Sequence, residues 1–159
     1  FVTMSTRILL VCMGNICRSP MAEGLVRHKA RERGMDVRTD SAGTIDSHVG
    51  ETPDRRAQKC MDDHGIDISD LRARQIRPSD FHEFDLLLAM DLDNLKGLRR
   101  IAPNDALLDK ARLMMDFAPD LPQEVPDPYF GGQDGFEEVY RMLDAACEDL
   151  LDRLQQNGG

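Results

Sequence analysis

No apolar run in this chain approaches the ~20 residues needed to cross a bilayer, and Ile8-Leu9-Leu10-Val11 is too short even for a signal-peptide core. No membrane span is expected, and a cytoplasmic location follows by default. Cationic charge is also scarce. Against 29 Asp and Glu stand 20 Lys and Arg, for a formal net charge of −9. A general nucleic-acid binder needs a positive field for its phosphate contacts, so nucleic acid is not an expected partner. A small anionic substrate is still compatible, because screening limits long-range repulsion to roughly 8 Å at physiological salt. A local pocket of backbone N–H groups and one Arg suffices to hold a phosphate. The four cysteines, Cys12, Cys17, Cys60 and Cys147, include no C-x-x-C pair, which argues against a zinc ribbon or a thioredoxin-like centre. No metal or other cofactor is expected, and the thiols should stay reduced. Low-complexity tracts are absent as well.

What is present is a 159-residue chain that is 41% hydrophobic, enough for one domain with its own core. Phe1-Val2-Thr3 precede Met4 and read as a non-native extension, leaving residues 4–157 as the domain. Thr6 to Val11 is a near-continuous branched apolar run, the pattern of a strand buried on both faces. A helix should begin at Pro20 and end near Gly34. A second strand fits Asp36 to Ser41, a polar loop Ser41 to Thr52, and a helix Asp54 to Asp63 stopped by His64-Gly65. Leu86 to Met90 repeats the buried-strand pattern before a short helix from about Asp91 to Arg100, and Leu113-Met114-Met115 is a fourth strand. Asp116 to Gly135 holds four of the eight prolines and reads as a long ordered loop. Phe136, Val139, Leu143, Cys147, Leu150 and Leu154 form the stripe of a closing amphipathic helix, whose acidic residues read as a solvated face. Strands alternating with helices imply an α/β fold: a single domain with a central four-stranded parallel sheet flanked by helices on both faces. Ligands in such sheets bind beyond the C-terminal strand ends, where the loop from Cys12 lies.

That loop, Cys12-Met13-Gly14-Asn15-Ile16-Cys17-Arg18-Ser19, places a Cys and an Arg with five residues between them, between a buried strand and a helix start. Its backbone N–H groups and those of the first helical turn converge on one anion, aided by the helix dipole. Gly14 permits close approach or a positive φ, and Asn15 is the next most tolerant of that conformation. Arg18 supplies a planar bidentate donor matched to two phosphate oxygens. The same array favours the Cys12 thiolate, a nucleophile. Ser19 can donate a hydrogen bond to the sulfur, or serve as an ordinary cap. Met13, Ile16 and Cys17 complete the loop. Cys17 either fills it or forms a disulfide with Cys12 on oxidation.

The string Val11 to Pro20 resembles the signature of the low-molecular-weight protein tyrosine phosphatases. The likeness continues through Asp40-Ser41-Ala42-Gly43-Thr44, Ala73-Arg74-Gln75-Ile76, Met90-Asp91 and Val125-Pro126-Asp127-Pro128-Tyr129, so it covers nearly the whole chain in order. The resemblance implies a phosphomonoesterase acting on phosphotyrosyl protein or another small phosphomonoester through a phosphocysteine on Cys12, with Asp127 as general acid. It also makes Tyr129 an aromatic wall of the cleft. Two positions depart from the family. The opposite wall, usually aromatic, has Ser47 and His48 here, and a His that often bonds the loop Asn is replaced by Leu71. His48 should border the cleft, whereas His28, His64 and His82 read as solvated, Cys60 and Cys147 as structural thiols, and Met114 and Met115 as core. Two other readings stand beside the phosphatase. One is a thiol-linked arsenate reductase, for which the extra cysteines expected around Ala89 to Asp93 are missing; the other is a non-catalytic phosphoprotein-binding module.

Overall fold

The computed structural model describes residues 5–157, so Phe1-Val2-Thr3 and the reading of them as an extension lie outside the described residues. Four strands, β1 (Thr6–Cys12), β2 (Val37–Gly43), β3 (Leu86–Ala89) and β4 (Ala111–Leu113), form one all-parallel sheet in the order β2-β1-β3-β4. The helices are α1 (Arg18–Glu32), α2 (Arg55–Asp63), α3 (Asp80–Glu83), α4 (Leu92–Arg100) and α5 (Gln133–Asn157). Alternation along β1 divides the core. Ile8, Leu10 and Cys12 pack with α1, α2 and α5 on one face, and Leu9 and Val11 with α3 and α4 on the other. Ile8 to Val11 have no exposed surface, and burying such side chains stabilises by about 1.5–3 kcal/mol each. The four-stranded parallel sheet with helices on both faces is therefore as expected.

Several boundaries differ from expectation. Helix α1 starts at Arg18, and Pro20 sits third in it; a first-turn residue has no intrahelical partner for its N–H, so proline is tolerated there. The fourth strand is Ala111–Leu113, and Met114 and Met115 turn into a short 3₁₀ segment, both buried. Helix α5 opens at Gln133, so the ordered loop ends at Gly132, three residues earlier than expected. Helix α3 and a 3₁₀ segment over Asp105–Lys110 had no periodic signal because each is too short to show one. The acidic face of α5 is not simply solvated. Asp144, Glu148 and Asp152 pair with Lys29 and Arg33 of α1.

β1 is flanked by β2 on one side and β3 on the other, so strand order reverses between β1 and β3. The loops after those two strands open a crevice there, carrying Cys12 to Cys17 on one side and Asp91 on the other. Gly43 allows the first loop to lie close against β2, since a Cβ at that position would sit 2.6 Å from the Met13 carbonyl oxygen. The N–H groups of Thr44 and Ile45 donate to the carbonyls of Cys12 and Met13 at 2.9 and 3.1 Å, extending the β1–β2 pairing into the loop.

Candidate active site

The Cys12 side chain is buried at the end of β1, where its sulfur accepts the Asn15 backbone N–H at 3.3 Å and lies 3.0 Å from Ser19 Oγ. Ser19 Oγ already accepts from Asn15 Nδ2 at 2.8 Å, which leaves the hydroxyl proton free for the sulfur. The positive φ falls on Asn15 (+59°) and not on Gly14. Gly14 is needed for space instead: a Cβ there would come within 3.0 Å of the His48 ring.

Asn15 uses its whole side-chain amide. Nδ2 donates to Ser19 and, at 2.9 Å, to Ser41 Oγ, while Oδ1 accepts the Arg74 backbone N–H at 3.0 Å. Arg74 is in turn held by Asp40 and by Asp80, which has no exposed surface. The loop Asn is thus anchored without the family's histidine, and Leu71 packs against the core instead.

Arg18 is buried, and its Nη1 donates to Asp91 Oδ2 at 2.7 Å and to the Val125 carbonyl at 3.0 Å. Its Nη2 lies 3.9 Å from Asp127 Oδ2, so the other end of the guanidinium faces the cleft. The Asp127 carboxylate is partly exposed and accepts the Tyr129 N–H at 3.1 Å. Arg56 fixes the following residues by donating to the carbonyls of Tyr129 and Gly131 at 2.8 and 3.0 Å.

These groups line a cavity of about 190 Å³ that includes Cys12, Arg18, Asp127, Tyr129 and His48. Met13, Gly14, Ile16 and Cys17 complete its floor and near wall, while Asn15 and Ser19 stand behind it as supports. Ser47 does not line it. The walls also include Ile45 and Phe130, and Phe130 is 92% exposed with its ring edge-on to Tyr129. His48 is tethered by Glu51 at 3.1 Å. Burial, reinforced by Asp54 and Cys12, pushes the Cys17 thiol well up and keeps it protonated.

Sequence reasoning missed the support from Asp91, Ser41, Arg74 and Arg56, and the walls from Ile45 and Phe130. The first three fall inside segments that resemble the family, which was the available signal; Arg56, Ile45 and Phe130 carried none.

Comparisons with known proteins match nearly the whole chain to one family. The family model described as "Low molecular weight phosphotyrosine protein phosphatase" matches residues 7–158. A low molecular weight protein-tyrosine-phosphatase of Streptomyces coelicolor is 43% identical, covering 96% of each chain. A putative enzyme of the same description from Synechocystis sp. is 43% identical over 93% of this chain and 96% of its own. Among solved structures, a protein tyrosine phosphatase from Entamoeba histolytica with Hepes in its active site superposes with a TM-score of 0.92 at 37% identity, covering 96% of this chain and 99% of that one. The strand-to-helix cysteine loop, the buried Arg and the aspartate facing them across the cleft thus occur in a chain that belongs to the low molecular weight phosphotyrosine protein phosphatase family.

Proposed function

We propose that residues 4–157 act as one catalytic domain that hydrolyses phosphotyrosyl protein through a phosphocysteine intermediate. Cys12 attacks phosphorus in line with the ester oxygen, and the P–O bond to the tyrosyl oxygen breaks as the P–S bond forms. Arg18 and the loop N–H groups hold the equatorial oxygens, whose charge rises in the transition state. Asp127 gives its proton to the departing phenolate and then, as carboxylate, takes one from the water that attacks phosphocysteine. Ser19 hydrogen-bonds the sulfur as it leaves. Met13, Gly14, Asn15, Ile16 and Cys17 shape the cradle, and Tyr129 and His48 flank the substrate ring.

The observation that carries this reading is the facing arrangement of Cys12, Arg18 and Asp127 around one cavity, with the Arg already oriented by Asp91 and Val125. A thiol relay of the arsenate-reductase kind lacks support, because Cys17 alone joins Cys12 in the cavity lining, while Cys60 and Cys147 are buried in α2 and α5 away from it. The test is hydrolysis of a phosphotyrosyl peptide with chelator present, comparing wild type with Cys12→Ser. Wild-type turnover should be lost in the variant, and retention of activity by Cys12→Ser overturns the mechanism.

A further inference from the structure

Away from the cleft, α2 and α5 meet through three side chains of different chemistry. Cys60 is on the inner face of α2 with no exposed surface, and its thiol donates to Glu137 Oε1 of α5 at 3.3 Å. His64, the residue that ends α2, lies with Nε2 3.0 Å from Glu137 Oε2. The three candidate donor atoms all lie within 4.8 Å of one another, the spread of atoms around a single small cation. The His64 ring is not free to turn away, because it stacks on Tyr140 one helical turn past Glu137, with centroids 3.7 Å apart and planes 8° from parallel. His64, expected from the sequence to be a solvated side chain, is therefore an oriented one.

We propose that Cys60, His64 and Glu137 form a Zn²⁺ site that clamps the end of α2 to the first turns of α5. Mixed S, N and O donors suit Zn²⁺ better than a hard cation such as Mg²⁺ or Ca²⁺, and three protein ligands leave the fourth tetrahedral position to water. The thiolate and carboxylate together balance the charge of the ion. Binding exchanges the Cys60 S–H bond for S–Zn and releases that proton to solvent. Tyr140 acts from outside the coordination sphere by fixing the imidazole plane.

The absence of a C-x-x-C pair hid this site, because its ligands are separated by four residues on one helix and a further 73 along the chain. Its position relates it to the catalytic cleft. The start of α2 holds the loop that carries Asp127, through Arg56 and the carbonyls of Tyr129 and Gly131, and Gln133 at the start of α5 donates to the Arg56 carbonyl. A bound Zn²⁺ would tie together the two helices that hold this loop.

The test uses the Cys12→Ser, Cys17→Ser protein, which removes the cleft thiols as competing ligands. Equilibrium dialysis against zinc should give one ion per chain. Replacement by Co²⁺ should give the intense visible absorption of a tetrahedral site together with a thiolate-to-metal charge-transfer band. Cys60→Ser should remove that band. His64→Gln and Glu137→Gln, both changes at partly exposed side chains that leave the core intact, should each weaken zinc binding by more than the ~10–100-fold typical of changes to groups around a ligand. Zinc should also raise the Tm of the wild type and not that of His64→Gln. Failure to retain zinc, a charge-transfer band that survives Cys60→Ser, or unchanged affinity in both glutamine variants overturns the proposal and leaves a hydrogen-bonded cluster only.

Discussion

Asn15 holds a left-handed backbone and commits every polar atom of its amide to Ser19, Ser41 and Arg74. Two substitutions separate these roles. Asn15→Gly keeps access to positive φ and loses the side-chain bonds, while Asn15→Ala loses both and adds about 1–2 kcal/mol of strain for an L residue in that region. Both variants are expected to lower kcat, with the larger fall in Tm for Asn15→Ala; equal Tm values would show that φ is not the constraint. Asp127→Asn keeps the shape of the acid and cannot give up a proton, so kcat is expected to fall by about 10²–10⁴. A series of aryl phosphates checks the role, since the loss should shrink as the leaving group becomes more acidic. Phe130 makes a different contribution. At 92% exposure beside Tyr129 it can touch a protein substrate beyond the phosphotyrosine itself. Phe130→Ala is expected to raise KM for a phosphotyrosyl peptide and leave kcat/KM for a small aryl phosphate nearly unchanged.

At the scale of elements, α2 is started by Asp54, whose side chain accepts the Arg56 N–H at 2.8 Å and also pairs with the Arg56 guanidinium. Asp54→Ala should therefore cost about 0.5–2 kcal/mol as a lost N-cap, read as a lower urea midpoint. It also frees Arg56 from one of the partners that aim it at the Tyr129 and Gly131 carbonyls, so KM should rise in parallel. Helix α1 approaches the segment after α2 through Gly24, where a Cβ would meet Ile68 Cγ2 at 2.4 Å. Elsewhere in a helix Gly→Ala stabilises, but here overpacking is expected to cost about 1–3 kcal/mol, and an increase in Tm for Gly24→Ala would contradict the close packing.

Across the whole molecule, α1 and α5 are joined by a charge network of Lys29 and Arg33 with Asp144, Glu148 and Asp152. The Lys29 hydrogen bond, opposed by partial burial and helped by Arg33, holds the Glu148 carboxyl below its ordinary range. A carboxyl lowered in the folded state binds fewer protons than its unfolded counterpart, so its contribution is present above the unfolded pKa of about 4.3 and lost as pH falls through the folded value. The urea midpoint is expected to drop between about pH 5 and pH 3, and less steeply in Glu148→Gln, which has no such proton to take up. High salt should reduce the difference between the two proteins, because Glu148 keeps 47% of its side-chain surface exposed and the pairs are only partly shielded from ions.

Most of what the sequence determined by itself is local. The apolar run before Cys12, the spacing from Cys12 to Arg18 and the helix that follows are contiguous, so strand, loop and helix could be placed together, and the buried-strand pattern of Leu86 to Ala89 was enough to imply a parallel sheet. Single-residue details within the same stretch were decided by packing: the left-handed turn falls on Asn15, and Gly14 is needed instead for the space that the His48 ring occupies. Tertiary structure alone decided what steadies the machinery. Arg18 meets Asp91 73 residues away and Val125 107 away, and Asn15 meets Arg74 59 away. Such partners come together only when the β2-β1-β3-β4 order brings their loops to one end of the sheet, and nothing in the spacing of residues along the chain encodes that meeting. The same holds for Cys60, His64 and Glu137, which read separately as a core thiol, a solvated imidazole and a solvated acid, and whose donor atoms converge once α2 lies against α5.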